Sequence, residues 1–174
     1  MDRIKSGPIA KAAAACLVVV TVIVALAYSS YPAMEVTNLN FELESWELAG
    51  FNSVSGTITL SVSGHGVFVP QNTSISISGL DDLQISVTVT PTQGPLPLLL
   101  QVTLTGTLVA FPTNLTTSLL LITVHGIWEP LGTTPSVHVQ LTATETVQWT
   151  ESYSWVWYPS PDTIAWWTWT PTPV

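Results

Sequence analysis

Val137-His138-Val139-Gln140-Leu141-Thr142-Ala143-Thr144-Glu145-Thr146-Val147-Gln148-Trp149 is the longest alternating stretch in the chain. Val137, Val139, Leu141, Ala143, Val147 and Trp149 fall on one side of an extended backbone. His138, Gln140, Thr142, Thr144, Thr146 and Gln148 fall on the other. Side chains of a strand point alternately to opposite faces, so this pattern predicts a strand with one face in a core and one in water.

The same period of two recurs on both sides of it. Leu83, Ile85, Val87 and Val89 alternate with Gln84, Ser86, Thr88 and Thr90. Ile58, Leu60 and Val62 alternate with threonines and serines, and Leu39, Phe41 and Leu43 with Asn40, Glu42 and Glu44. Between the runs lie turn signals: Ser78-Gly79, Pro91-Thr92-Gln93-Gly94-Pro95, Leu131-Gly132-Thr133 and Pro159-Ser160-Pro161-Asp162. No stretch beyond residue 34 keeps a helical period. Strands wet on one face belong to antiparallel sheets. About eight to ten short strands at this spacing argue for a sandwich or a barrel. The expected fold is all-β, an antiparallel β-sandwich of Greek-key or immunoglobulin-like type, preceded by one N-terminal hydrophobic helix.

One segment repeats. Residues 60–74, with Gly64, Val67, Pro70 and Asn72, align without a gap on residues 102–116, with Gly106, Val109, Pro112 and Asn114. A looser copy has Gly126 and Pro130. Each glycine stands where a strand apolar on one face becomes apolar on both, which suits a β-bulge or bend. The proline that follows is expected to stop the ladder. Asn72-Thr73-Ser74 and Asn114-Leu115-Thr116 are N-glycosylation sequons at equivalent positions, expected in loops just past the prolines.

Charge is distributed with unusual asymmetry. The three basic residues are Arg3, Lys5 and Lys11, and ten of the eleven carboxylates lie beyond them. A surface without cations does not hold nucleic acid or anionic lipid, because phosphate binding needs them. Residues 1–11 are short and positive, and residues 12–28 are continuously apolar or small. That order predicts an export signal or a membrane anchor with its positive end in the cytoplasm. Ala25-Leu26-Ala27 has the small-x-small form of a signal-peptidase site, with cleavage between Ala27 and Tyr28. An uncleaved anchor remains open: residues 12–28 as a helix span about 26 Å, marginal for a bilayer. A pilin-type leader, cut after Gly7, is a third reading; Pro8 and Lys11 interrupt the helix it needs. Residues 29–34 form a linker, 35–150 the β domain and 151–174 a Trp-rich hairpin and tail.

The composition excludes most chemistry. Cys16 is the only cysteine and lies in the apolar segment, so no intrachain disulfide, thiol metal site or thiol catalysis is available. It is expected to be buried and inert. His65, His125 and His138 show no ligand spacing, and Asp81-Asp82 reads as a solvated turn. Neither a nucleophile elbow nor a catalytic triad order is present. No catalytic residue, metal ligand or cofactor is expected.

The aromatic tail is the strongest surface candidate. Trp149, Tyr153, Trp155, Trp157, Trp166, Trp167 and Trp169 crowd the C-terminal part. Tyr153, Trp155 and Trp157 share one strand face, as do Trp167 and Trp169, and Pro159-Ser160-Pro161-Asp162 joins the two strands as a hairpin. Three roles stay open: core of a closing hairpin, interface with a partner chain, or stacking on sugars.

Val36-Thr37-Asn38-Leu39-Asn40-Phe41, Pro70-Gln71-Asn72 and Ile77-Ser78-Gly79-Leu80 carry a family resemblance. Residues 35 to 147 resemble the late-embryogenesis-abundant, WHy type of β-sandwich, in which a membrane segment precedes the domain. The order Pro-x-Asn, where that family more often has Asn-Pro, and the Trp-rich tail depart from its pattern. The resemblance implies a non-catalytic protective or scaffolding domain with no active site to carry over.

The chain thus reads as a non-catalytic surface or secreted protein. Its partners are other proteins or copies of itself, the membrane through its N-terminal helix, and glycans. One rival is a filament subunit adding residues 35–43 or the C-terminal hairpin to a neighbour's sheet; another is a carbohydrate-binding module using the Trp cluster. Without lysine or arginine, no such ion pair in the β domain can break in acid, so its stability is expected to hold or rise down to about pH 3.

Overall fold

A computed structural model of the chain describes residues 8–29, 31–46, 51–109, 115–130, 135–156 and 164–174. Of these, the side chains of 8–11, 23–29, 51, 155, 156 and 164 are not described. The chain divides into two compact units, Met1–Tyr31 and Pro32–Val174.

The first unit is the helix α1, Pro8–Ser29. Pro8 is its first residue, where a missing N–H costs no helical hydrogen bond. Residues 12–22 are all exposed, and Leu17, Val18, Val19, Val20 and Val22 each exceed half of their full exposure. Cys16 is exposed as well, not buried: every side of this helix is apolar, and it has no face to turn inward. Among the described residues no helix is long and apolar enough to cross a membrane.

The second unit is all β. Its strands are β1 (Ala33–Trp46), β2 (Phe51–Ser63), β3 (Val67–Ile77), β4 (Leu83–Thr90), β5 (Gly94–Pro95), β6 (Leu98–Leu108), β7 (Thr117–Glu129), β8 (Val137–Val156) and β9 (Ile164–Pro173). They form a single sheet, in the order β4-β6-β2-β1-β9-β8-β7-β3-β5, with antiparallel neighbours throughout. The two sheets of a sandwich are therefore not seen. One nine-stranded sheet curls strongly into a half-barrel and packs its concave face on itself. Alternation specifies a wet and a dry face for each strand, but it does not say whether the dry faces belong to one sheet or two.

The core is drawn from that inner face: Phe41 and Leu43 of β1, Ile58 and Leu60 of β2, Phe68 of β3, Leu100 and Val102 of β6, Ile122 and Val124 of β7, and Val139, Leu141 and Val147 of β8. Along β8 from Val139 to Trp149 the polar residue at an inward position is Glu145, which is half-buried. It lies two residues before Val147, whose partner Pro173 is the last of β9. The strand itself runs through residues 150 and 151 without a break.

Two bulges set the phase of the core. In β1 the register slips between Val36 and Asn38, which moves the inward set from Met34 and Val36 to Leu39, Phe41 and Leu43. In β3 it slips between Pro70 and Asn72, so that Phe68 and, beyond the bulge, Ile75 and Ile77 all face inward.

The repeat glycines do not make these bulges. Gly64 follows β2 and opens the turn into β3, with φ of 126°, Gly106 stands in regular register opposite Val54, and Gly126 pairs with Pro70 where the β3 bulge begins, the extra residue being on β3. Gly126 serves space: a Cβ there would meet the Phe68 ring at 2.6 Å, so the ring occupies the room a side chain would take. Pro70 does not end its strand either, because the bulge after it lets β3 continue to Ile77. Pro130 does follow the last residue of β7, and Pro112 lies outside the described residues.

The curl leaves one seam. β3 and β4 are joined by residues 78–82 and approach each other, yet no ladder joins them. Between them is a cavity of about 200 Å³ lined by Pro70, Gln71, Asn72, Thr73, Val87, Val89 and Thr92.

Candidate functional site

β8 and β9 pair from Val147↔Pro173 to Val156↔Ile164, so the predicted C-terminal hairpin partners do lie side by side. Its connection at residues 157–163, with Trp157 and the Pro159-Ser160-Pro161-Asp162 turn, lies outside the described residues. β9 is not an edge: its other side pairs with β1 from Leu43↔Trp169 to Trp46↔Trp166. Of the segments proposed for addition to a neighbour's sheet, β9 is paired on both sides at residues 166–169, whereas, among the described residues, 35–42 of β1 pair with β2 alone and 150–156 of β8 with β9 alone.

This three-strand junction orders the aromatics by register. Residues directly opposite one another share a face. One row is Ser45, Trp167 and Tyr153, and the next is Leu43, Trp169 and Glu151. Leu43 belongs to the core, so both rows lie on the concave side, and Trp169 packs against the core. The Tyr153 and Trp167 rings are 5.2 Å apart between centroids and tilted by 52°. Trp166 lies on the opposite, convex face beside Trp46, with centroids 5.0 Å apart. Trp155 is placed by its backbone, opposite Ala165.

Trp149 takes a different role from the rest. It is 6% exposed, its ring meets Phe41 edge-on at 5.8 Å, and its indole N–H donates to Ser118 Oγ at 2.9 Å. It is a core residue. Tyr153 is 42% exposed and Trp166, Trp167 and Trp169 are half-buried. Glu151, opposite Trp169, is exposed. The aromatic strip thus runs from the core out to water along β8 and β9, and the Trp46–Trp166 contact on the opposite face is one the sequence did not show.

No family model matches the chain, and neither a curated protein nor a solved structure does.

The other candidate residues are dispersed. Asn72 is exposed but sits in β3, opposite His125, rather than in a loop; Asn114 lies outside the described residues. Ala27 and Tyr28, the predicted cleavage pair, fall in the last turn of α1. All three histidines are exposed: His65 in the turn between β2 and β3, His125 on β7 and His138 on β8. Among the described residues no three His, Cys, Asp or Glu side chains come together as metal ligands. Asp81 and Asp82 stand in the turn after Leu80, whose side chain joins the core.

Proposed function

We propose that the chain is a non-catalytic β module displayed outside the cytoplasm, held at the membrane by α1 or released from it by cleavage. The observation that carries this reading is the helix itself. Residues 12–22 expose apolar side chains on every side, next to a terminus holding all three basic residues. A helix apolar all round needs an apolar surrounding, and a bilayer supplies one.

The β unit fits display. Its only ionic groups are carboxylates and histidines, and its curled sheet brings two halves together over one core, as the expected sandwich would. The scaffolding role implied by the WHy-type resemblance agrees with this. The aromatic strip at the end of β8 and β9 is the surface we assign to a protein partner. Tyr153 and Trp167 offer large rigid faces at low entropic cost there. Pairing of β9 on both sides at residues 166–169 argues against adding that strand to a neighbour.

Mass spectrometry of the mature N-terminus, with membrane fractionation of intact cells, tests the reading. Met1 retained with the protein in the membrane means an anchor, and a start at Tyr28 with protein in the medium means secretion. A start at Pro8 means a pilin-like leader. Full-length protein in the cytosolic fraction, protected from external chymotrypsin, would sink the proposal.

A further inference from the structure

Inward residues of β6 and β7 are buried along most of their length, but those of β4 (Leu83, Ile85, Val87 and Val89) are all half-buried. Across the seam, Thr73 and Ile75 of β3 are half-buried too, and Thr73 Oγ1 is buried without a hydrogen bond. The core meets water along this line.

The two edges match. Counting outward from the turn at residues 78–82, Ile77 faces Leu83, Ile75 faces Ile85 and Thr73 faces Val87, inward residues opposite inward residues throughout. Thr73 and Val87 already line the same cavity. At the far end β5, which follows β4 after residues 91–93, is already hydrogen-bonded to this edge of β3 at Val67 and Phe68. The seam is thus held at both ends and open in the middle. Strand direction also permits closure, since alternation around the sheet makes β3 and β4 antiparallel.

We infer that this seam is a closable ladder: β3 and β4 zip in register about residues 78–82, turning the half-barrel into a closed eight-stranded barrel with β5 as a strap. Closure completes the burial of Ile75, Ile85 and Val87, gives the Thr73 hydroxyl a β4 carbonyl within reach and removes two free edges at once. A foreign strand filling the same gap would run parallel to one edge, the weaker pairing, so the two edges suit each other better than a guest.

The full-length chain carrying Cys16→Ser tests this through two cysteine pairs at exposed, outward positions. Closure sets residue 74 directly across from 86 and out of register with 88. Mild oxidation then cross-links Ser74→Cys/Ser86→Cys at least ~10-fold faster than Ser74→Cys/Thr88→Cys. Equal rates, or no cross-link in either, overturn closure. Hydrogen exchange on the unmodified chain reads the same event without substitution. The alternate β4 amides that point away from β6 are protected ~100-fold or more when the ladder forms. Exchange of those amides at the rate of an unstructured chain overturns the proposal, whatever the cysteine variants do.

Discussion

Trp149 and Ser118 are joined by a buried hydrogen bond of 2.9 Å, indole N–H to hydroxyl oxygen, between neighbouring strands β8 and β7. Thr116 reinforces the pair by accepting the Trp149 backbone N–H at 2.9 Å. A polar atom on each partner is thereby satisfied inside the core, at 6% and 2% exposure respectively. Removing one partner leaves the other buried and unpaired, which costs more than the bond itself contributes. Ser118→Ala should destabilise the domain by about 1–3 kcal/mol, read from the midpoint of urea unfolding. A change below about 0.5 kcal/mol would show that the indole finds another acceptor.

Phe68 and Gly126 make a second dependent pair. Because the ring fills the space of the missing side chain, Gly126→Ala should cost about 1–3 kcal/mol through overpacking. Combined with Phe68→Leu, it should cost less than the sum of the two single changes. Strict additivity would place the clash elsewhere.

The Tyr153–Trp167 contact crosses β8 and β9 on the concave face. A double-mutant cycle with Tyr153→Ala and Trp167→Ala should return a coupling of about 0.5–1.5 kcal/mol. A partner protein that uses this strip should also lose affinity with Trp167→Ala while binding unchanged to Asn72→Gln, on the far edge of the sheet.

Acid should not unfold the β unit. Ordinary acid denaturation breaks carboxylate pairs with lysine or arginine, and residues 12–174 contain neither. At neutral pH the formal net charge of the whole chain is −8, and neutralising like charges relieves self-repulsion in the compact state. The melting temperature should hold or rise between neutral pH and about pH 3. A steep fall in calorimetry over that window would refute this.

In a host that attaches N-glycans, exposed Asn72 should carry one. Peptide mass spectrometry should show the added sugar and its loss in Asn72→Gln.

Much of this molecule is a local matter. Period-two alternation depends only on where successive side chains point, so the inward set of β8, from Val139 to Trp149, is legible in the sequence. The same holds for the all-β class, the apolar N-terminal helix and the confinement of lysine and arginine to the first eleven residues. Tertiary structure decided everything that depends on which strands become neighbours. It placed β9 between β1 and β8, which joined the C-terminal strand to the first strand of the sheet and brought Trp46 beside Trp166. It separated Gly64, Gly106 and Gly126 into a turn, a ladder position and a seat for a ring, although they align in sequence. It also made one curled sheet with a seam at Thr73 and Val87 where two sheets were expected. Hydrogen-bond partners far apart in the chain are chosen by closure of a shared core, and alternation within a strand carries no information about that choice.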